Sequence, residues 1–420
     1  MEQKTQEYLN TLKNELREAG FSKTAEVVQI SLNEYYRRHW YEMSKALLEV
    51  MRDSAVLARA YDLHDNVLRN IRADISPIVY VKLIYSVVFS PNGSLEKGLD
   101  VVEGASACLL GGGAVQEKHA VECIRAMLLL SSSSSNGNSL TSFNQNEESP
   151  ALVTDPGSNF YIARKLLEEL NTYIGSLQMH ELEPLLLMLY CKARGKDYEL
   201  RKEYTQYYKN TFDIVTYSEK AEMPLLPDEM DELAFKTAVA ALLSDEIFNF
   251  GKFLNNSLLV TSLESSAKHR WVLEWLRLCN EGNVEGFQQF IDLHLNEIHN
   301  IPDLAEAVPT ALRQKVRLTA LLHLAFYTPF NERTFSFKTI ANRCIVGEGE
   351  VEPLLLTALA HGIVHGKIDG LKGEVRITCV EPRVLRLQEL KQLAEHIARW
   401  RTQVVGVSSY VSKMVEQIHN

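Results

Sequence analysis

Apolar side chains recur at helical spacing along almost the whole chain. Leu9, Leu12 and Leu16 form one such stripe near the N-terminus, and Val28 with Leu32 begins the next. Residues three or four apart lie on the same face of an α-helix, so each stripe predicts a helix that buries one side. The turns between stripes are short, which makes consecutive helices antiparallel neighbours. We therefore predict a solenoid of stacked helical hairpins, TPR-like in plan, although the tetratricopeptide signature itself is not legible.

A different kind of segment interrupts this pattern between Ser131 and Ser158. It opens with five consecutive serines and continues with asparagine, glutamine and glutamate. Such a stretch buries too little apolar surface to offset the entropy of ordering it, so we predict a disordered insertion. Helical stripes then resume, and they predict helices at Phe160–Ser176, Glu181–Ala193 and Tyr198–Thr211.

The last third of the chain mixes helices with short strands. The predicted elements are a helix at Leu312–Tyr327, a strand at Phe335–Phe337, helices at Lys338–Cys344 and Val351–Val364, and a hairpin of His365–Asp369 with Glu374–Val380. This order is that of a winged helix, a variant of the helix-turn-helix plan. In the last strand, Val375, Ile377 and Cys379 alternate with polar residues, which predicts that these three face the core.

After Pro382 the sequence predicts one long helix with a heptad repeat. Its apolar residues are separated alternately by three and four positions, as at the a and d sites of a coiled coil. A narrow apolar seam of this kind needs a partner helix. We therefore predict an interface at Leu390, Leu393, Ile397, Trp400, Val404, Val407, Val411, Met414 and Ile418.

These patterns predict a mainly α fold class and five segments. Helical repeats occupy residues 1–130, the serine-rich insertion 131–158, and further helical repeats 159–312. A winged helix with a small β-sheet follows at 313–382, and a long helix suited to a bundle occupies 383–420.

Composition supports long helices and a reducing environment. The 420 residues include only 12 prolines and 21 glycines, below the averages of about 5% and 7%. The six cysteines are isolated from one another, so neither a disulfide framework nor a zinc ribbon is indicated. The first residues are polar, and the longest uncharged apolar runs fall short of the about 20 residues that span a bilayer. We expect a soluble protein of the cytoplasm and nucleus, without a membrane partner.

The motifs of common catalytic sites are missing from the sequence. No Gly-Lys pair is followed by the serine or threonine of a P-loop, and neither a G-x-S-x-G elbow nor an H-E-x-x-H pair occurs. His361 and His365 are four residues apart, but Gly362 and the predicted end of the helix spoil a joint ligand face. We therefore expect no catalytic residue, no cofactor site and no metal site, and a protein that is not an enzyme.

A winged helix raises the question of nucleic-acid binding, and the charges argue against it. The net charge is −10, and the predicted third helix, Glu350 to Val364, contains two glutamates and no lysine or arginine. We expect this helix to expose leucine and alanine almost all round, which offers bases few hydrogen bonds. What remains is a small sheet with an edge suited to strand pairing. We predict a wing interface at Lys367, Asp369, Arg376 and Thr378.

Several stretches resemble the PCI domain family. They are Ile247–Leu254, Asn280–Gln288, Val351–Asp369 and Val380–Leu385 with the helix that follows. The resemblance is good from about Leu233 to the C-terminus. Over the first 230 residues it lies in the order of the helices more than in the identities of the residues. PCI proteins scaffold the proteasome lid, the COP9 signalosome and a translation initiation complex.

The resemblance implies a non-catalytic scaffold subunit of the 26S proteasome regulatory-particle lid, which supports lid assembly and ubiquitin-dependent protein degradation. The wing would pair edge to edge with a neighbouring PCI subunit. The terminal helix would enter a bundle with other lid subunits, including those of the metalloprotease (MPN) type. Two alternatives stay open: a scaffold of the signalosome or of the initiation complex, and a winged-helix nucleic-acid adaptor.

Overall fold

The computed structural model describes residues 2–111, 113–134, 158–381 and 387–419. The chain divides into two compact units, residues 1–233 with 300–302, and residues 234–299 with 303–420. Most of the predicted serine-rich insertion lies outside the described residues, as does Pro382 at the predicted boundary before the last helix. The five predicted segment boundaries stay predictions.

In the first unit every element of the described residues is helical. The elements are α1 (Glu2–Glu18), α2 (Ser22–Arg37), α3 (Trp40–Val50), α4 (Ser54–Leu57), α5 (Ala60–Leu63), a π-helical turn (His64–Leu68), α6 (Arg69–Ile71), α7 (Pro77–Val88), α8 (Leu95–Gly111), α9 (Val115–Ser134), α10 (Asn159–Ser176), α11 (Pro184–Leu200), α12 (Tyr204–Lys220) and the start of α13 (Pro227–Leu243).

The apolar stripes of these helices form one continuous core. Leu9, Leu12 and Leu16 of α1 are buried, and so are Val28 and Leu32 of α2. Consecutive long helices pack on one another, α1 on α2, α2 on α3, and α8 on α9. The stacked helical repeats predicted from the hydrophobic periodicity are confirmed.

The two ends of the serine-rich stretch belong to helices. Helix α9 continues through Ser134, and Lys196 Nζ donates to Ser131 Oγ at 2.6 Å. At the other end, Ser158 caps α10 by accepting a hydrogen bond from the backbone N–H of Tyr161 at 3.1 Å. Ser131–Ser134 thus belong to α9 and Ser158 caps α10, whereas residues 135–157 between them lie outside the described ones.

The predicted break between Ala193 and Tyr198 is wrong. Helix α11 runs without interruption from Pro184 to Leu200, and Gly195 lies inside it. A Cβ at Gly195 would lie 3.2 Å from Asn210 Nδ2 of α12, and that amide donates to the carbonyl of Cys191 at 2.8 Å. The glycine allows the two helices to approach closely, and packing outweighs its low intrinsic helix propensity.

The second unit begins with helices and ends with a winged helix. Its helices are the rest of α13, then α14 (Gly251–Leu254), α15 (Ser257–Ser265), α16 (Arg270–Glu281), α17 (Val284–Leu293), α18 (Leu295–His299), α19 (Pro302–Ala307) and α20 (Arg313–Tyr327). A π-helical turn, Val308–Leu312, joins α19 to α20. Pro309 lies in this turn, and since proline cannot donate a backbone hydrogen bond, a wider turn there avoids breaking the helix.

The winged helix has the predicted order of elements. They are β1 (Thr334–Ser336), α21 (Phe337–Cys344), α22 (Glu348–Ala360), β2 (Val364–Asp369) and β3 (Glu374–Val380), followed by α23 (Leu387–His419). The sheet is antiparallel with strand order β1-β3-β2. Helix α22 ends four residues earlier than predicted, and Gly362 follows its end with a positive φ of 70°. The winged-helix prediction is confirmed.

Gly282 allows α16, α17 and α20 to meet in the second unit. It ends α16 in the left-handed conformation, with φ 61°. A Cβ at this position would lie 2.4 Å from the Cα and 2.6 Å from the backbone nitrogen of Ala320 in α20. Both the backbone conformation and the space therefore require glycine.

We expect Gly282→Ala to lower the free energy of unfolding by about 3 kcal/mol, because left-handed strain adds to overpacking against a backbone. Gly20→Ala is the matched control, since Gly20 has φ 87° and no atom within 4 Å of an added Cβ. It should cost about 1 kcal/mol. Urea denaturation followed by tryptophan fluorescence and circular dichroism measures both, and equal losses would exclude the clash with Ala320.

Lys315 of α20 is a fully buried cation in the second unit. Its ammonium donates to the carbonyl oxygens of Ala241 at 2.7 Å and Leu242 at 3.1 Å, in the last turn of α13, and to that of Ser244. The rings of Phe248 and Phe250 lie 5.7 and 5.4 Å from Nζ. Carbonyls at a helix C-terminus and aromatic faces both attract a cation. Lys315 thus joins the end of α13 to α20.

Burial lowers the pKa of Lys315 from its ordinary value of 10.5 to about 7, against the opposing effects of Cys279 and Asp245. Between about pH 7 and pH 10.5, the lysine therefore carries its proton in the unfolded chain to a greater extent than in the folded chain. It follows that the stability of the unit rises with pH from about 7 towards 10.5, by at most about 1.4 kcal/mol per pH unit.

We expect Lys315→Met to lower the free energy of unfolding by about 2 kcal/mol at pH 9, because buried carbonyls lose their donor. The deficit relative to the wild type should shrink as the pH falls to 7, since only the wild type carries the titrating lysine. Urea denaturation at the two pH values measures it. Lys268→Met, at an exposed lysine of the same unit, is the control. A deficit that does not change with pH would contradict the assignment.

Candidate assembly surfaces

The wing sheet has two edge strands, β1 and β2, of which the six-residue β2 is the longer. Strand β3 lies in the centre and pairs with β1 on one side and β2 on the other. The N–H of Ile377 donates to the carbonyl of Arg333, just before β1, at 2.9 Å. Because the backbone groups of successive strand residues point to opposite sides, the N–H and C=O of Arg376 point towards β2. Because Lys367 is opposite Arg376, the backbone N–H and C=O groups of Gly366 and Ile368 point away from the sheet. These groups are available to another strand.

The four residues predicted at the wing interface lie on two adjacent strands. Lys367 and Asp369 are on the edge strand β2, whereas Arg376 and Thr378 are on the central strand β3. The side chain of Thr378 donates to the carbonyl of His365 at 3.1 Å. Because β3 is paired on both sides, Arg376 and Thr378 can contribute only side chains to an interface and not a backbone edge. The sequence alone does not reveal the order of the strands, and so it did not separate these two residues from Lys367 and Asp369.

Like charges are opposite each other on this pair of strands. Lys367 is opposite Arg376, and Asp369 is opposite Glu374. Lys367, Asp369 and Arg376 are exposed and Glu374 is half-buried. Like charges directly opposite are destabilising unless a third group compensates them. Lys372 compensates part of the negative pair, since its Nζ lies 3.8 Å from Asp369 Oδ2. The hairpin thus presents the positive pair of Lys367 and Arg376 next to a partly compensated negative pair.

Cys379 faces solvent, and its predicted place in the core is wrong. The register shifts between His365 and Gly366, which are opposite Cys379 and Ile377. Thr378 is the extra residue of a β-bulge, and the bulge turns the following side chain away from the buried face. Val375 and Ile377 are buried as predicted.

Gly366 is a wing residue whose role the sequence reasoning missed. A Cβ there would lie 2.4 Å from the carbonyl oxygen of Arg376. The signal was present, because a glycine inside a predicted strand often marks a bulge or a close backbone approach.

The third helix of the wing is less exposed than predicted. Leu354, Leu355 and Ala358 of α22 are buried in the winged-helix core, and Leu356 is the large apolar residue of this helix that stays exposed. The helix contains no lysine or arginine, and Arg317 on α20 lies 4.0 Å from Glu350.

The predicted heptad residues line an exposed face of α23. The side chains from Leu390 to Val411 at these positions are between 45% and 67% exposed. Met414 and Ile418 lie in the helix, but their side chains are outside the described ones. Among the described side chains of α23 none is buried. An apolar seam without a neighbour in the described part of its own chain is a surface for association.

Two further apolar side chains of α23 lie outside the heptad positions. Tyr410, three residues after Val407, is 61% exposed at the border of the seam, whereas Val405, next to Val404 in the chain, is 59% exposed on a different face of the helix.

The titratable groups of the described residues include no metal-binding cluster, and four of the cysteines are buried. Among those residues no three histidine, cysteine, aspartate or glutamate side chains are grouped closely enough to hold a metal ion. Burial raises the pKa of Cys191, Cys279 and Cys344 to about 12, so these side chains stay protonated thiols. Across the described ranges, no helix is both long and apolar enough to cross a bilayer.

Two family models match this chain. The model of the PSD13 N-terminal repeats covers residues 28–276, and that of the PCI domain covers residues 288–378. The first match alone covers more than half of the 420 residues.

Curated relatives are similar over about half of the chain. The 26S proteasome non-ATPase regulatory subunit 13 of Dictyostelium discoideum is 32% identical over 205 residues, 49% of this chain and 52% of its own length. The probable 26S proteasome regulatory subunit rpn9 of Schizosaccharomyces pombe is 29% identical, over 59% of this chain and 62% of its own length. The eukaryotic translation initiation factor 3 subunit M of Coccidioides immitis is 25% identical, over 45% of this chain and 39% of its own length.

Proposed function

The chain belongs to the PSD13 family and carries a PCI domain, and on that premise we propose that it is a scaffold subunit of the 26S proteasome regulatory-particle lid. In this role it performs no catalysis and binds no cofactor, and it supports lid assembly and ubiquitin-dependent protein degradation in the cytoplasm and nucleus. The observation that carries the proposal is the exposed heptad seam of α23, which follows a winged helix with a free strand edge.

The wing edge is the proposed contact with another PCI subunit of the lid. The outward backbone groups of Gly366 and Ile368 supply hydrogen bonds to an added strand, a recognition mode that depends little on sequence. The alternating charge pairs, Lys367 with Arg376 and Asp369 with Glu374, add specificity, because a neighbour with like charges at these positions is rejected.

The seam of α23 is the proposed contact with a helix bundle. Its exposed apolar side chains gain roughly 1.5–3 kcal/mol each on full burial. Helices of other lid subunits, including the metalloprotease (MPN) subunits, are the proposed neighbours of this seam. Deubiquitinating chemistry would belong to these partners, since no metal-ligand group occurs among the residues that the structure describes.

Two alternative functions remain, and a specific measurement tests each of them. The first is a scaffold of another PCI complex: similarity to a subunit of translation initiation factor 3 supports the initiation complex, and the signalosome rests on the PCI resemblance alone. Mass spectrometry of co-purified proteins distinguishes these complexes from the lid. A nucleic-acid adaptor would require salt-dependent binding, and the lack of basic residues on α22 disfavours it.

We expect the double substitution Ile397→Glu and Val404→Glu to remove the chain from the lid, because two charges would be buried without partners in the bundle. The control is Arg399→Glu with Thr402→Glu, at exposed positions of the same helix outside the a/d seam. Co-sedimentation of the tagged chain with the lid in a glycerol gradient measures incorporation. Equal incorporation of both variants would contradict the role of the seam.

For the wing, we expect Lys367→Glu with Arg376→Glu to weaken incorporation of the chain into the lid about tenfold. The substitutions would place two negative charges where the proposed neighbouring subunit contacts positive ones. Lys338→Glu with Arg343→Glu, at exposed residues of α21, tests whether any charge reversal on the winged helix has the same effect. Quantitative mass spectrometry of purified lids gives the occupancy of each variant. A loss shared by both pairs would show that the effect is not specific to the strand edge.

A further inference from the structure

The edge strand β2 carries a positive and a negative side chain two residues apart. Lys367 and Asp369 are exposed on one face of the sheet, whereas the half-buried Ile368 between them packs against the winged-helix core. The backbone groups that point away from the sheet are those of Gly366 and Ile368, since Lys367 is paired with β3. An edge of this kind accepts any strand that the neighbouring side chains tolerate. The charges of β2 therefore decide which strand can be added.

The positive side chains of this hairpin have no anionic partner in the part of the chain that the structure describes. Lys367 and Arg376 are exposed, and neither forms an ion pair or a side-chain hydrogen bond there. Asp369 differs, because its Oδ1 accepts the backbone N–H of Lys372 at 3.2 Å and its Oδ2 lies 3.8 Å from Nζ of that lysine. The second distance is too long for a hydrogen bond, and the Asp369 side chain is 48% exposed. The carboxylate can therefore bind a second cation, and Lys367 lacks a carboxylate.

A second copy of β2 can supply that carboxylate if the two strands pair antiparallel about a twofold axis. Residues with outward backbone groups must lie opposite one another in such a pair. The axes that place Gly366 and Ile368 opposite themselves or each other pass through Gly366, Lys367 or Ile368. An axis at Lys367 places this lysine opposite its own copy, and an axis at Gly366 places it opposite His365. With the axis at Ile368, Lys367 lies opposite Asp369 of the second copy, and the same contact occurs twice by symmetry.

The remaining contacts agree with the axis at Ile368. The N–H and C=O of Ile368 exchange two hydrogen bonds with those of the second copy. Lys367 and Asp369 then form the non-hydrogen-bonded type of pair, in which the side chains are closest. At each end of this short ladder Gly366 lies opposite Gly370 of the copy, so no side chain obstructs the approach. A Cβ at Gly370 would have no atom within 4 Å.

The neighbouring strand β3 extends the same charge order. Arg376 lies behind Lys367, and Glu374 lies behind Asp369. Each row across the paired sheets therefore has two positive side chains followed by two negative ones of the second copy. The like pairs that are unfavourable within one hairpin thus each gain an opposite pair.

A lysine on an edge strand commonly protects that edge from pairing. Lys367 has this effect in the register that places it opposite its own copy. Asp369 removes the protection in the register with the axis at Ile368, because opposite charges meet there. The other edge strand, β1, has only three residues, so it offers a shorter ladder.

We propose that the chain pairs with a second copy of itself through β2, antiparallel and with the twofold axis at Ile368. A strand pair of this length buries less than the about 1,000 Å² that a stable interface needs, so the pairing is reversible. The edge takes up one strand at a time, and a paired copy keeps it covered until another strand replaces that copy. The inference rests on the geometry of the wing and not on the proposed lid function.

The test uses the purified full chain with Ile397→Glu and Val404→Glu, which prevents association through α23. Sedimentation velocity between about 1 and about 100 µM should show a reversible equilibrium of monomer and dimer. Lys367→Asp should weaken dimerisation about tenfold or more, because two carboxylates then meet on each side of the axis. Lys338→Asp is the matched control, since it makes the same change of charge at an exposed residue of α21. It should leave the equilibrium unchanged.

Exchanging the two charges, Lys367→Asp with Asp369→Lys, tests the register. With the axis at Ile368, opposite charges meet again, so the affinity should return to within about threefold of its starting value. With the axis at Lys367, the exchange places two aspartates opposite each other, and the dimer should stay weak. Recovery therefore identifies both the register and the second copy as the added strand.

Hydrogen exchange provides a measurement that needs no substitution in the wing. The outward N–H groups of β2 are open to solvent in a single copy, and that of Ile368 becomes hydrogen-bonded in the dimer. Exchange in peptides that cover residues 364–369, followed by mass spectrometry, should slow as the concentration rises. Peptides that cover β1, the other edge strand, should exchange at the same rate at every concentration.

Three results would overturn the proposal. The first is a chain that stays monomeric at every concentration. The second is a dimer that Lys367→Asp does not weaken, or one in which β2 exchanges as fast as in the monomer, because another surface would then form it. The third is an exchanged variant that is folded by circular dichroism and does not recover the dimer. Co-sedimentation with the lid is measured separately, so these results are independent of the proposed lid function.

Discussion

The structure depends on one constraint: each helix must bury the apolar face that its sequence periodicity creates. In the first unit, neighbouring helices of the same chain cover these apolar faces, and Leu9, Leu12 and Leu16 are buried in a continuous core. In α23 the same kind of stripe has no neighbour among the described residues, and Trp400 stays 67% exposed. The same requirement therefore underlies both the fold and the candidate association surface. The helices of the first unit satisfy it within the chain, whereas α23 does not satisfy it within the described residues.

Charges held away from solvent follow a related rule, and Lys192 and Lys315 are two examples with defined partners. Lys192 donates to Tyr85 Oη at 2.8 Å and lies 3.6 Å from the Glu229 carboxylate. Although burial lowers the pKa of Lys192, these two groups raise it above its ordinary value overall. Lys315 has carbonyls and aromatic rings instead, and burial lowers its pKa to about 7. A carboxylate partner keeps a buried ammonium charged, whereas neutral dipoles alone do so less strongly.

Much of the fold was predictable because it is encoded locally. The helices of the first unit, the order of the winged helix and the heptad repeat of α23 all follow from periodicity and turn residues. Resemblance to the PCI family gave the functional proposal its direction, and the family comparison confirmed the family. The break predicted between Ala193 and Tyr198 is an error with a local cause, because a close helix contact accommodates Gly195 inside α11.

The candidate surfaces were predictable only in part. Local patterns are enough to predict which residues form strands and which positions of α23 repeat in heptads, because these patterns depend on neighbours along the chain. Only the folded chain shows that β3 is the central strand and β2 an edge strand, that a bulge turns Cys379 outward, and that Leu354 and Leu355 of α22 are buried. These features depend on contacts between residues far apart in the chain, and such contacts leave no periodic signal in the sequence.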